Sequence, residues 1–191
     1  MYIISIDPGY EGAITILSLR DKIITPIETY SIPVTSKKTK KGSIRCLDEM
    51  EITSLLCKLV SYWDVVSLVI EEQIIVGGQG ISSTSINMHN YGFIKGLAAG
   101  LGLTYTIISS TKWQSVIPED IVIPSNIQTL SKKETKKRSI AYVMELFPNY
   151  TLLKTPRSKI PSDGISDSIL IGYYYLSAII EKVAPHFTND N

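Results

Sequence analysis

Residues 1–16, MYIISIDPGYEGAITI, decide the fold because they contain two strand patterns separated by a turn. The segment from Tyr2 to Ile6 is mostly aromatic or β-branched, which is typical of a buried strand. Asp7 breaks this pattern, and the proline and two glycines after it predict a tight turn before the apolar run Ala13 to Leu19. The stretch therefore predicts a β-hairpin with a carboxylate at its mouth. Asp7 either begins the turn through local hydrogen bonds or belongs to a functional site.

The length and cysteine content limit the class of protein. A chain of 191 residues fits one domain with a substantial core, and we expect a single domain over residues 1–191 with a flexible tail from about residue 184. Cys46 and Cys57 do not indicate a disulfide framework or a zinc site, which favours an intracellular protein. The sequence shows neither a secretory signal pattern nor an apolar run long enough to span a bilayer, so we expect a soluble protein without membrane partners.

The basic residues are clustered although the net charge is only +1. The three groups are Lys37, Lys38, Lys40, Lys41 and Arg45; Lys132, Lys133, Lys136, Lys137 and Arg138; and Lys154, Arg157 and Lys159. They form a surface for nucleic-acid phosphates if folding brings them together, and otherwise they are solvated loops and helix faces.

The order of predicted elements indicates an α/β fold. The predicted elements after the hairpin are a third strand over Lys22–Val34, a lysine-rich loop, an amphipathic helix over Leu47–Trp63, a buried strand over Val65–Ile75, a glycine-rich loop, a helix through Leu101, a strand over Tyr105–Ser110, an irregular segment over Pro118–Ser131, a helix from about Lys132 to Pro148, and a last helix from near Ser162 to about Lys182. This order predicts a mixed five-stranded sheet flanked by helices, and it resembles the ribonuclease H-like order.

Carboxylates occur at positions that ordinary packing explains poorly. Asp163 and Asp167 are four residues apart, so they share one helix face. The helix dipole accounts for Asp163 as a capping residue, whereas a bound cation explains Asp167 better. Glu71 and Glu72 are consecutive in a strand and point to opposite faces, so only one of them can share a site with Asp7.

Taken together, a strand-end aspartate, a strand glutamate and a helical aspartate pair suit two hard cations. Mg²⁺ prefers oxygen ligands, and two such ions can hold both the attacking and the leaving oxygen of a phosphodiester. His89 and His186 are not spaced like zinc ligands.

Four segments carry a resemblance to a known family. IDPGYEGAI (6–14), VIEEQIIVGGQGISS (69–83), ISSTKWQSVI (108–117) and SDGISDSILIGYY (162–174) resemble, in this order, the motifs of the RuvC family of Holliday junction resolvases, in its phage and viral branch of the ribonuclease H-like superfamily. The resemblance implies that the catalytic metal ligands are Asp7, Glu71, Asp163 and Asp167. It implies two Mg²⁺ ions per site, with Mn²⁺ as a substitute. The motif register favours Glu71, whereas the glutamine that follows would favour Glu72.

The resemblance also implies a function. We expect an endonuclease that hydrolyses four-way DNA junctions in paired symmetric cuts, leaving 5′-phosphate and 3′-hydroxyl ends without a covalent intermediate. We expect it to work in a bacterium or in the host-cell compartment where viral or phage DNA is processed. The expected partners are branched DNA and a second copy of the chain, bound through the glycine-containing helix over Gly92–Leu103, although these glycines also suit packing inside one monomer. The residues expected to contact DNA are Lys37, Lys38, Lys40, Lys41, Gln79, Lys112, Lys132, Lys133, Lys136, Lys137, Arg138, Arg157 and Lys159, and Trp113 is interpreted as a core residue.

Three other functions compete with this hypothesis. A nuclease of the same fold that prefers flaps, forks or other branched DNA would have the same motifs. An ATP-binding protein of the actin and sugar kinase type also begins with a strand and an aspartate, but that fold needs two such domains. A noncatalytic DNA-binding module is disfavoured because four carboxylates without metal would repel phosphates.

Overall fold

The structure is a computed structural model that describes residues 1–39, 42–75 and 80–183, without the side chains of residues 39, 81–83 and 183. The elements are β1 Tyr2–Ile6, β2 Ala13–Arg20, β3 Ile23–Ser31, β4 Val34–Thr39, β5 Gly42–Leu47, α1 Glu49–Trp63, β6 Val65–Glu71, α2 Ile81–Gly100, β7 Tyr105–Ile108, α3 Ser110–Gln114, α4 Ser125–Gln128, α5 Glu134–Leu146 and α6 Asp163–Val183. The tail expected from about residue 184 lies outside the described residues, as do Lys40, Lys41 and Gln79.

A mixed five-stranded sheet forms the centre of the fold, as predicted, with strand order β3-β2-β1-β6-β7. The opening hairpin is confirmed, since β1 pairs antiparallel with β2, and β2 pairs antiparallel with β3. Strands β6 and β7 continue the sheet in parallel to β1. Ile6 of β1 pairs with Ile70 of β6, so Asp7 and Glu71 follow side by side at the carboxyl ends of two neighbouring strands.

Helices cover both faces of this sheet, because successive strand residues point to opposite sides. Ile3 faces a cluster that packs against α3, α5 and α6 and includes Ile169. Ile4 faces a second cluster, which packs against α1 and α2 and includes Ile52. The sheet is thus buried between two layers of helices. Within the described part of the chain, no helix is both long enough and apolar enough to cross a bilayer.

The lysine-rich segment differs from its prediction as a loop. It forms a separate two-stranded antiparallel ribbon, β4 and β5, in which Val34 pairs with Leu47 and Lys37 pairs with Ile44. Valine, threonine and isoleucine in this segment favour an extended backbone, and the lysines between them obscured that preference.

Several strand ends and short helices also differ from the prediction. Strand β6 ends at Glu71 rather than at Ile75, and β7 ends at Ile108. A short helix, α3, begins at Ser110, and the segment expected to be irregular contains one helical turn, α4. The new strand ends and α3 lie where β6 and β7 stop, and α4 is a single turn, so in each case the period of apolar residues is too short to define an element.

Candidate active site

Asp7 begins the turn between β1 and β2 and also faces the other acidic residues. Its Oδ1 accepts a hydrogen bond from the Gly9 amide at 3.1 Å, and the turn closes with the Gly12 amide donating to the Gly9 carbonyl at 2.8 Å. A Cβ at Gly12 would lie 2.1 Å from the Asp7 carbonyl oxygen, so only glycine fits there. The two interpretations of Asp7 are therefore compatible, because the turn holds its carboxylate at the end of β1.

Glu71, the last residue of β6, has a carboxylate held by two donors. The indole N–H of Trp113 donates to Oε1 at 2.9 Å, and the side-chain amide of Gln73 donates through Nε2 to Oε2 at 3.3 Å. Glu72 is exposed. Burial, and then the charge of Glu72, raise the pKa of Tyr91 of α2, which lies on the other side of the sheet. The strand register therefore turns Glu71, rather than Glu72, toward Asp7.

Trp113 has a role that the sequence interpretation did not include. It is buried, as expected of a core residue, with 2% of its surface exposed. Its N–H is nevertheless used by Glu71, because a buried indole needs a hydrogen-bond acceptor. Its position in the short helix directly after β7, next to the end of β6, was the available signal.

Helix α6 brings the two aspartates to the same end of the sheet. Asp163 is its first residue and Asp167 lies one turn later, on the same face. Gly164 lets the helix touch the β1–β2 turn directly, since a Cβ there would lie 2.0 Å from the Glu11 carbonyl oxygen and 2.8 Å from the Gly12 Cα. This backbone contact sets the distance between the helix and Asp7.

A chain of hydroxyl groups fixes α6 across the sheet. The Ser168 hydroxyl lies 2.6 Å from that of Thr15, which lies 2.9 Å from that of Thr29. The Thr29 hydroxyl in turn lies 2.7 Å from that of Tyr150, while Ser5 donates to the Ser168 carbonyl at 2.6 Å. The sequence analysis missed this network, although serine and threonine inside apolar strands were its signal. It orients the residue next to Asp167.

The carboxylates repel one another in a buried place, which changes their pKa values. Burial, and then the charge of Asp167, raise the pKa of Asp7 from 3.8 to about 6. Burial, and then the charge of Asp7, raise the pKa of Glu71 from 4.5 to about 7. Burial also raises the pKa of Asp167. These three groups are close enough to hinder one another's ionisation, which is common in functional sites.

Two lysines from the second basic group supply the compensating charge. Lys132 Nζ lies 2.6 Å from Asp163 Oδ1. Lys136 Nζ lies 3.5 Å from Asp163 Oδ2 and pairs directly with Asp167 Oδ2. Burial raises the pKa of Asp163, but the Lys132 hydrogen bond and the Lys136 charge outweigh burial, so the pKa is lowered. Burial lowers the pKa of Lys136, but Asp167 and the other carboxylates outweigh it, so the net shift is upward.

Comparison with solved structures identifies the architecture. No protein-family model and no curated protein matches the chain. The structure is similar to T. thermophilus RuvC in complex with a Holliday junction substrate, with a TM-score of 0.57, 9% identity, and coverage of 94% of this chain and 96% of that chain. It is similar to the fowlpox virus Holliday junction resolvase, with a TM-score of 0.57, 18% identity and coverage of 94% and 99%. It is also similar to the yeast mitochondrial Holliday junction resolvase, with a TM-score of 0.50, 13% identity, and coverage of 95% of this chain and 80% of that chain.

The chain has the fold of the Holliday junction resolvases. The prediction of a ribonuclease H-like mixed sheet flanked by helices is thereby confirmed. In this resolvase fold the carboxyl ends of β1 and β6 and the first turn of α6 meet, and they bring together Asp7, Glu71, Asp163 and Asp167.

The donor set at this end of the resolvase fold suits a hard cation, although it is not closed around one. Within residues 1–39, 42–75 and 80–183, no three His, Cys, Asp or Glu side chains converge as a metal-binding group. Asp167 Oδ1 is nevertheless buried and has no hydrogen-bond partner among the described atoms. An acceptor without a donor, beside carboxylates with raised pKa values, is the arrangement that a cation would stabilise.

The other residues expected to contact DNA lie at different places on the resolvase fold. Two are engaged within the protein: Lys137 Nζ donates to the Gln128 carbonyl at 2.6 Å, and Arg138 donates to the Pro118 carbonyl at 2.9 Å. The exposed ones are Lys37, Lys38, Lys112, Lys133, Arg157 and Lys159. The ribbon β4–β5, helix α3 and the segment before α6 thus present separate basic side chains to solvent.

Proposed function

We propose that the protein is a metal-dependent endodeoxyribonuclease that resolves four-way DNA junctions by paired, symmetric hydrolysis of phosphodiester bonds. The observation that carries this proposal is the meeting of four carboxylates at one end of a resolvase fold. Structural and stabilising roles explain such a cluster poorly, because buried carboxylates that repel one another lower the stability of the fold.

The proposed ligands of two Mg²⁺ ions are Asp7, Glu71, Asp163 and Asp167, and Mn²⁺ is expected to substitute. The chemistry supplied by such ions is the activation of water and the stabilisation of the departing 3′ oxygen. The protein's contribution is orientation. The Gly9 amide fixes Asp7, and Trp113 with Gln73 fixes Glu71.

Lys136 has a distinct part in this proposal. Its ammonium group holds positive charge against Asp167 and Asp163, so the acidic centre is partly compensated before any cation binds. Lys136 lies in the first turn of α5, and its long side chain can leave the carboxylates without disturbing the helix backbone. Cation binding therefore competes with an internal ion pair.

Paired cuts need two active sites, which supports a two-fold symmetric dimer. Helix α2 offers an open face for it, since a Cβ built at Gly92, Gly96 or Gly100 would meet no described atom beyond its own turn of the helix within 4 Å. We propose that a second copy of the chain packs on this face.

The test uses a labelled synthetic four-way junction beside a linear duplex and a flap, each with Mg²⁺ or with chelator. The wild type is expected to nick the junction at symmetric positions, and Asp7→Asn and Asp167→Asn are expected to lose this activity. Asp21→Asn is the matched control, because Asp21 lies in the β2–β3 turn with φ of 50°, which asparagine accepts. Equal cutting of all branched forms would favour the flap and fork nuclease, and the absence of any metal-dependent cutting would contradict the proposal.

A further inference from the structure

An ion-pair cluster outside the four carboxylates joins three separate parts of the chain. Glu11, in the β1–β2 turn, accepts a hydrogen bond from Arg45 of β5 through Oε1 and one from Lys154 through Oε2, both at 2.6 Å. The Arg45 guanidinium also lies over the Tyr10 ring, 5.5 Å from its centroid. The Tyr10 hydroxyl donates to the Arg45 carbonyl at 3.1 Å. One carboxylate thus holds two cations that come from the basic ribbon and from the segment before α6.

The cluster lies beside the candidate active site. A groove of about 300 Å³ has Glu11 and Lys154 on its wall together with Lys132 and Asp163. Ser162 lines the same groove, is only 6% exposed, and its hydroxyl has no hydrogen-bond partner among the described atoms. The groove therefore connects the Glu11 cluster with Asp163 and contains an unused donor.

Support of the fold is a weak explanation for this cluster. The side chains of Glu11, Arg45 and Lys154 are 65%, 49% and 31% exposed. Ion pairs between exposed groups add little stability, because water and salt screen them. Arginine and lysine side chains bind the oxygens of carboxylates and of phosphates by similar hydrogen bonds. Arg45 and Lys154, which hold the Glu11 carboxylate, are therefore also suited to a phosphate.

We propose that Arg45 and Lys154 form a clamp for a backbone phosphate of the DNA strand that enters the active site, and that Glu11 occupies this clamp while DNA is absent. The inference rests on the proposed nuclease function and adds a binding position to it. The Ser162 hydroxyl provides a further donor to the strand along the groove. Glu11 acts as an internal competitor, so a phosphate must displace its carboxylate before the strand reaches Asp163.

The first test is the affinity for a labelled four-way junction, measured by fluorescence anisotropy in chelator so that no strand is cut. Glu11→Gln removes the competing charge, and we expect binding about 2- to 25-fold tighter, the range that corresponds to two exposed ion pairs. Glu119→Gln is the matched control for net charge, since Glu119 is exposed and has no ion pair among the described residues.

A double-mutant comparison separates the clamp from simple charge repulsion. In Lys154→Met we expect weaker junction binding and a smaller gain from Glu11→Gln, because Arg45 still pairs with Glu11. In Arg45→Met/Lys154→Met we expect weaker binding still and no gain from Glu11→Gln. Circular dichroism of each variant establishes that it is folded, and Lys154→Met alone leaves the β4–β5 ribbon unchanged. A wild type that binds junctions, with no gain in Glu11→Gln or with a gain that persists without the two cations, would overturn the clamp and leave the nuclease proposal standing. A wild type that binds no DNA would overturn both.

Discussion

Replacing Asp7 by asparagine is expected to stabilise the metal-free protein at neutral and alkaline pH. The pKa of Asp7 is about 6 in the folded chain and 3.8 ordinarily, so the folded state binds the proton more tightly than the unfolded state. Stability is therefore lost as pH rises from about 4 to about 6, and it stays lower above that range. At 1.36 kcal/mol per pKa unit, the ionised carboxylate costs about 3 kcal/mol at pH 8. Asparagine keeps an oxygen that accepts the Gly9 hydrogen bond.

The measurement is urea or thermal unfolding of wild type and Asp7→Asn in chelator at pH 8 and at about pH 3.5. We expect a gain of about 3 kcal/mol at pH 8, or about 6–12 °C in Tm for a chain of this size, and almost no difference at the acidic pH. Mg²⁺ is expected to remove the gain, because it would stabilise the wild type only. Asp120→Asn, an exposed aspartate, serves as the control. A wild type as stable as Asp7→Asn at pH 8 would refute the claim that burial and the neighbouring charge of Asp167 make the ionised Asp7 unfavourable.

Three further predictions concern groups around the site. Glu71→Gln should also stabilise the metal-free protein at pH 8, but combining it with Asp7→Asn should gain less than the sum, since the charge of Asp7 contributes to the raised pKa of Glu71; additive unfolding energies would contradict this. Trp113→Phe removes the donor to Glu71, so the free energy of unfolding should fall by about 1.5–3 kcal/mol more at pH 8 than at pH 5, as measured by chemical unfolding. An equal loss of stability at both pH values would indicate a packing effect alone. Gly164→Ala should cost more than about 2 kcal/mol in chemical unfolding and abolish junction cleavage, because its Cβ meets the Glu11 carbonyl; a variant as stable as the wild type would contradict this close contact.

The sequence predicted the sheet because its strands carry clear patterns. The turn after Ile6, the apolar segment before Glu71 and the aspartate pair of α6 each have a local physical signature. The choice between Glu71 and Glu72 depended on pairing, since a shift by one residue turns a strand side chain to the other face. The parallel register of Ile6 with Ile70 places Glu71 beside Asp7 in the structure.

Contacts between segments that are distant in the sequence could not be predicted from local sequence patterns. Lys136 was expected on a DNA-binding surface, yet it pairs with Asp163 and Asp167, because α5 packs next to α6. The hydroxyl chain from Tyr150 to Ser168 depends on two strands, α6 and the segment after α5 meeting, so the hydroxyl residues in the apolar strands did not by themselves identify their partners. The ribbon β4–β5 was hidden by its lysines, which are poor strand formers when considered alone.

Because α6 is the last described element of the chain, Asp163 and Asp167 are the last of the four carboxylates to be synthesised. Asp7 and Glu71 lie at the ends of β1 and β6, which leave the ribosome well before α6. Repulsion from Asp163 and Asp167 is added when α6 docks. Helix α5, with Lys136, has been synthesised by then, so neutralising charge arrives no later than the charges it balances. A growing chain that has not reached α6 therefore carries only Asp7 and Glu71 of the four carboxylates.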